Sequence, residues 1–376
     1  MHYFIIAGEA SGDLHASRLI TALRERDTDA RFTFLGGDCM AAAAGTGPLI
    51  HYRDMAYMGF SEVLRHLGPI FSNLRRTRRA LADSRPDCMI AVDYPSFNLK
   101  VAKTAHRLGI PVYWYISPKI WAWKQWRVKS IRRLVRRMLC ILPFEPAFYA
   151  AHGYNAAEYV GNPSVEEIDA ALAAVGQRDE FLRRHRLRDH AIIALLPGSR
   201  RGEIKCNLPV MNAVARQFPQ YTIAVAGAPG IDDAFYESLT SFTVVRGATH
   251  ELLAHSHAAL VTSGTATLEA ALAGVPQVVT YRSNGSKTAY NIMKKLLHVS
   301  FVSLPNLIVG HEIIPEQLLH LCTPDIVADR LARLTRRNSP EREAQLEGYA
   351  DMRRRLGGPG AADRAAEAIL SYIRQC

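Results

Sequence analysis

The chain has 376 residues, 48% of them hydrophobic and 22% charged, which is ordinary for a globular protein and long enough for two domains with a core each. Its six cysteines (Cys39, Cys88, Cys140, Cys206, Cys322 and Cys376) form no C-x-x-C pair and no close Cys/His cluster. That argues against a disulfide framework or a structural zinc and fits a reducing cytoplasm. The net charge of +11 asks for an anionic partner (nucleic acid, anionic membrane or phosphorylated substrate) without choosing among them.

Residues 3–7 read as a strand, too short and too closely followed by Glu9 and Asp13 for a signal peptide. No apolar run approaches the ~20 residues that span a bilayer. Gly8-Glu9-Ala10-Ser11-Gly12-Asp13 reads as a turn, and Leu14, Leu19 and Leu23 mark a helix to about Arg24. The turn lacks the G-x-G-x-x-G spacing of a dinucleotide site, yet suits phosphate or sugar contact, or simply a tight turn of small residues. Asp27-Thr28-Asp29 could hold a metal in some sugar transferases, but among Arg24, Arg26 and Arg31 it reads as a solvated loop.

Residues 58–81 are unusual. Phe60, Val63, Leu64 and Leu67 fall on one helical face, Gly68-Pro69 breaks it, and Ile70, Phe71 and Leu74 resume it beside Arg75, Arg76, Arg78 and Arg79. An apolar face next to arginines suits an interfacial helix on a membrane, or a helix pair packed on the core with a basic end exposed. Residues 88–92 form a continuous apolar strand, and Asp93 stands at its carboxyl end, where open α/β sheets bind ligands. Asp93 is therefore the candidate general base, with helix capping as the alternative. After a strand at 110–116 comes Ser117-Pro118-Lys119-Ile120-Trp121-Ala122-Trp123, and eight Lys/Arg with no acid lie from Lys119 to Arg137. Aromatics beside cations fit a sugar-phosphate or nucleic-acid surface.

Gly161-Asn162-Pro163 closes this half, residues 165–189 connect, and the strand–turn–helix pattern restarts. Strand 191–196 leads into Pro197-Gly198-Ser199-Arg200-Arg201-Gly202-Glu203, a cradle of backbone N–H groups and guanidinium charge that is not a P-loop. Strand 258–261, the turn Ser263-Gly264-Thr265 and a helix to Ala273 offer a second anion-binding turn. Glu269, one turn into that helix, suits a pair of sugar hydroxyls; a salt-bridged Glu in an ordinary crossover fits the same pattern. His255 and His257 lack acidic or thiol neighbours for a metal. Residues 303–308 read as an extended loop holding Asn306, and 324–376 as arginine-rich helices broken at Gly357-Gly358-Pro359-Gly360. The fold class expected is α/β: two Rossmann-like domains facing across a cleft, at 1–163 and 164–334, followed by helices at 335–376.

Five blocks together resemble the lipid-A-disaccharide synthase family: Gly8 to Asp13, Ser117 to Trp123, Leu196 to Arg200, Ser263 to Glu269, and Val302-Ser303-Leu304-Pro305-Asn306-Leu307. They occur in the family's order and span residue 3 to about 334. The resemblance implies a GT-B glycosyltransferase that works without metal or cofactor at the cytoplasmic face of the inner membrane of Gram-negative bacteria. It would join UDP-2,3-diacylglucosamine to 2,3-diacylglucosamine 1-phosphate (lipid X), giving a β-1,6 disaccharide 1-phosphate and UDP, with dimers known in the family and no nucleic-acid partner. It implies that helices 335–376 cross back to the first domain or to a partner subunit, and it implies Asp93 and Arg200 as catalytic. Gly198, Ser199, Ser263, Gly264, Thr265, Glu269 and Asn306 would bind UDP. Glu9, Ser11, Gly12 and Trp121 would lie on the acceptor side, and the stripe from Met58 to Leu74 would touch the membrane. Many members carry histidine where this chain has Asn162, which removes any titrating role there. The rivals are another UDP-sugar enzyme of this fold, such as a 2-epimerase or an N-acetylglucosaminyl transferase, and a non-enzymatic basic protein binding nucleic acid or membrane.

Overall fold

The structure, a computed structural model, describes residues 1–55, 67–282 and 299–374. The chain divides into one unit of residues 1–163 and 358–376 and a second of residues 164–357.

The first unit is built on a parallel sheet of β1 (His2–Ala7), β2 (Arg31–Gly36), β3 (Ile50–His51), β4 (Cys88–Val92), β5 (Val112–Tyr115), β6 (Arg137–Cys140) and β7 (Ala157–Tyr159), in the order β3-β2-β1-β4-β5-β6-β7. The central strands are apolar along their whole length because both faces are covered. Phe4, Ile6, Met89 and Ala91 enter the core on one face, and Tyr3, Ile5, Cys88 and Ile90 the core on the other.

The second unit repeats the plan with β8 (Ile192–Leu196), β9 (Thr222–Gly227), β10 (Thr243–Arg246), β11 (Ser256–Thr262), β12 (Gln277–Tyr281) and β13 (Glu316–Leu318), ordered β10-β9-β8-β11-β12-β13 and again parallel. Two parallel-sheet α/β domains are thus as expected from the alternation of apolar runs and helical patterns.

Several local expectations need correcting. The first helix is Ala10–Arg26, so Ser11, Gly12 and Asp13 lie in its opening turn rather than in a loop. Buried Asp13 accepts from the backbone N–H groups of Gly37 (2.6 Å), Cys39 and Met40, tying that helix to the start of the helix Asp38–Ala44. Asp27 is not solvated: it accepts from the Tyr3 hydroxyl at 2.8 Å and the Met1 amine at 2.9 Å. The described part of the next helix is Leu67–Ser84 and carries Ile70, Phe71 and Leu74, while the expected break at Gly68-Pro69 turns on residues before Leu67 that lie outside the described residues. Residues 304–309 are a helix, Leu304–Val309, not an extended loop. Met58, Phe60, Val63 and Leu64 lie outside the described residues.

The domain boundary at 334 also moves. The helices Pro324–Thr335 and Pro340–Leu356 belong to the second unit, and the chain returns to the first only after Gly357. The last helix, Ala361–Arg374, buries Ala365, Ala366, Ile369 and Leu370 in the first unit's own core, and its Asp363 and Glu367 pair with Arg26 at 2.9 and 3.0 Å. Gly161 has φ +97°, and the Arg364 guanidinium occupies the space a Cβ would need. Arg364 donates to the Val160 carbonyl at 2.8 Å, so the last helix is fastened beside the end of β7.

Candidate functional site

In each sheet the strand order reverses once, between β1 and β4 and between β8 and β11. Loops leaving the carboxyl ends of strands at such a point diverge and leave a crevice for ligand. The four loops concerned carry Glu9, Asp93, Gly198 to Arg200, and Ser263 to Thr265.

In the first unit Ala7 of β1 pairs in register with Val92 of β4, so Glu9 and Asp93 follow directly from neighbouring strand ends. Asp93 and Tyr94 both hold positive φ, +40° and +46°, in a sharp elbow before the helix Pro95–Arg107. Non-glycine residues in that region are strained, and such strain persists where the surrounding structure holds it. Here Asn98 donates to the Asp93 carbonyl at 2.7 Å, and the Asp93 N–H donates to the Tyr115 carbonyl at 3.2 Å. The Tyr94 hydroxyl donates to the Met55 carbonyl, and its ring fills the space beside Gly8 that a Cβ would occupy. Burial, reinforced by the Glu9 charge and opposed by Lys119, pushes the Asp93 carboxyl up to about 6. A carboxylate held near neutrality can take a proton without being a permanent anion.

The aromatic loop divides in two. Trp121 is buried, donates its indole N–H to Glu145 at 3.1 Å and packs edge-on against Phe144. The other Glu145 oxygen accepts from the Leu142 N–H at 3.0 Å, and burial pushes that carboxyl up to about 7. Trp121 is therefore corrected from an acceptor-contacting residue to an anchor of the loop that carries Lys119. Trp123 and Trp126 are exposed instead, 56% and 66%, each beside a cation: the Lys124 ammonium lies 3.7 Å from the Trp123 ring centre and the Arg127 guanidinium 5.6 Å from that of Trp126. On the helix Leu67–Ser84, Phe71 is 59% exposed and Ile70 half-buried, whereas Leu74 is buried in the core. Leu74 is thus corrected from a membrane contact to a core residue. Asn162 is buried and donates to the Ile141 carbonyl at 2.9 Å, a positional role that needs no charge.

In the second unit the loop after β8 brings Gly198, Ser199 and Arg200 to the start of the helix Arg201–Ala215. Gly198 has φ +119°, and a Cβ there would lie 2.7 Å from that of Glu203. The Glu203 carboxylate accepts from the Ser199 N–H at 3.1 Å and pairs with Arg200 at 3.3 Å, so the loop already holds one anion with the groups that suit a phosphate. After β11, Ser263 donates from its hydroxyl to the Val302 carbonyl at 3.0 Å, and exposed Thr265 opens the helix Thr265–Leu272. Glu269 on that helix lies 3.4 Å from His250, a residue the sequence pattern did not single out.

Asn306 is corrected from a nucleotide-facing residue. It is fully buried, with its oxygen accepting from the N–H groups of Ile313 and Ile314 and its amide donating to the Ile314 carbonyl and to Glu316. All four amide positions are used within the segment. Glu316 also receives Val302 and Ser303 N–H groups and the Ser303 hydroxyl at 2.6 Å. Among the described residues, no cluster of three His, Cys, Asp or Glu is arranged to hold a metal ion.

A family model described as lipid-A-disaccharide synthetase matches residues 3–366. The lipid-A-disaccharide synthase of Myxococcus xanthus (strain DK1622) is 43% identical over 378 residues, covering 98% of this chain and 97% of the relative. That of Syntrophus aciditrophicus (strain SB) is 38% identical over 385 residues, covering 99% and 97%. Among solved structures, the UDP-GlcNAc 2-epimerase from Neisseria meningitidis bound to UDP-GlcNAc covers 100% of both chains with a TM-score of 0.67 and 12% identity. CalG4, the calicheamicin glycosyltransferase, covers 100% of this chain and 98% of its own, with a TM-score of 0.60 and 17% identity. At such identities these two likenesses concern the fold alone.

Proposed function

The chain belongs to the lipid-A-disaccharide synthase family, and from that premise we propose how its residues divide the work. The family's reaction is a glycosyl transfer: UDP-2,3-diacylglucosamine and lipid X are joined, and UDP leaves. The observation that carries the assignment of roles is Asp93, a strained carboxylate raised to about 6 at the reversal point of the first sheet.

Inverting transfer passes through an oxocarbenium-like transition state, with a base on the attacking hydroxyl and charge growing on the leaving group. Asp93 accepts the proton of the acceptor 6-hydroxyl as that oxygen attacks the anomeric carbon. UDP departs with added negative charge, which Arg200 and the N–H groups of Gly198, Ser199, Gly264 and Thr265 stabilise. Ser263 shapes its turn, and Glu269 receives the ribose hydroxyls. Glu9, Ser11 and Gly12 serve the acceptor side, where cations between Lys119 and Arg137 meet the 1-phosphate.

The protein sits on the inner-membrane surface through Ile70, Phe71, Trp123 and Trp126 and their neighbouring cations. Exposed aromatics beside lysine and arginine suit the interface between headgroups and acyl chains, and the net charge of +11 favours an anionic leaflet. Among the described residues no helix is long and apolar enough to cross a membrane.

The test is UDP release by purified protein given UDP-2,3-diacylglucosamine, with and without lipid X. Release that needs both substrates, and falls about 10²-fold or more in Asp93→Asn and Arg200→Ala, supports the roles. Release without acceptor points to a hydrolase or epimerase, and undiminished turnover in Asp93→Asn removes Asp93 as the base.

A further inference from the structure

We infer that His250 is a positioning residue for the donor, holding Glu269 in the orientation that receives the ribose diol of a uridine nucleotide. The inference rests on the donor reading above and adds a residue to it. The helix Thr249–Ala254 follows the carboxyl end of β10, and His250 lies in its first turn. The helix Thr265–Leu272 follows the carboxyl end of β11, with Glu269 one turn in. Both therefore start from the ligand-binding edge of the same sheet, and they bring the imidazole Nε2 to 3.4 Å from Oε2 of Glu269.

The two side chains are 30% and 27% exposed, and an ion pair so placed contributes little to stability. Its effect is local. It restricts the rotamers of a glutamate that would otherwise sweep freely, and leaves the second carboxylate oxygen to accept from hydroxyls. An imidazolium also offsets the repulsion between that carboxylate and a nearby diphosphate. The charged groups acting on His250 are Glu269 and, from the helix Pro163–Ala173, Glu167. Both are acidic, and the hydrogen bond with Glu269 above all holds the imidazole pKa above its ordinary value.

The experiment compares calorimetric binding of UDP and of 2′,3′-dideoxy-UDP by the full chain, as wild type, His250→Ala and His250→Gln. The alanine variant should bind UDP about tenfold more weakly and dideoxy-UDP unchanged, because only the diol uses Glu269. The glutamine variant, whose amide still donates to Glu269, should recover most of the UDP affinity. Equal losses for both nucleotides, or no loss for UDP, overturn the inference while leaving the donor site standing. A wild-type protein that binds neither nucleotide overturns the donor reading itself, and the inference with it.

Discussion

Glu9 and Asp93 leave the carboxyl ends of β1 and β4, the two strands between which the first sheet changes direction, and the charge of one raises the carboxyl pKa of the other. Lys119, beyond β5, acts on Asp93 with the opposite sign. The acidic limb of the pH profile of kcat/KM follows the protonation of the base, so it should fall away below about pH 6 in the wild type. Glu9→Gln should move that limb to lower pH, and Lys119→Gln should move it to higher pH. Profiles for both variants that shift in the same direction, or not at all, would remove Asp93 from the role.

Asp93 also costs stability. A carboxyl raised in the folded state from 3.8 to about 6 binds its proton more tightly folded than unfolded. Stability therefore declines as pH rises from about 4 to about 6, and stays lower above that. The penalty at neutral pH is on the order of 2–3 kcal/mol. Asp93→Asn should thus raise the thermal midpoint at pH 7.5 while turnover collapses, and its stability should lose this segment of the pH dependence. Thermal melts across pH 4 to 8 check the sign.

The tryptophans of one loop should separate by assay. Trp121→Phe leaves the buried Glu145 carboxylate without one donor and should cost about 1–3 kcal/mol in denaturant titration, with vesicle binding intact. Trp123→Ser with Trp126→Ser should barely change stability but weaken binding to phosphatidylglycerol vesicles roughly tenfold. Binding should also weaken with salt, because Lys124 and Arg127 flank those rings. Vesicle flotation at low and moderate salt measures both effects.

Much of the fold is legible because continuous apolar runs such as 88–92 and 192–196 leave no polar face, which only a sheet covered on both sides permits. The glycine-bearing turns after β8 and β11 were legible for a related reason: few residues satisfy a tight turn at a helix start. Asn306 and Trp121 misled because a side chain suited to binding a ligand is equally suited to closing a buried hydrogen-bond set. The partners that decide the matter, Glu316 and Glu145, are fixed only by tertiary structure. His250 went unnoticed because the residue it pairs with lies 19 positions away on another helix. The chain returns to the first unit at the Gly357-Gly358-Pro359-Gly360 break rather than at residue 334, a boundary the pattern misplaces because the arginine-rich helices on either side of it look alike.

Asn306 gives the sharpest separation between building a site and being part of it. Its amide makes four hydrogen bonds in the interior, all to the segment Ile313 to Glu316. Asn306→Ala removes them together and leaves two N–H groups, the Ile314 carbonyl and the Glu316 carboxylate each short of a partner, a loss of about 2–4 kcal/mol. Asn306→Asp keeps the acceptor oxygens but sets a second carboxylate against Glu316, so it should be at least as damaging. Both should lower the urea midpoint markedly. At temperatures where the variants remain folded, their affinity for UDP should stay within about twofold of wild type, because no amide group is left over to meet a nucleotide. A variant of undiminished stability with lost UDP affinity would return Asn306 to the ligand.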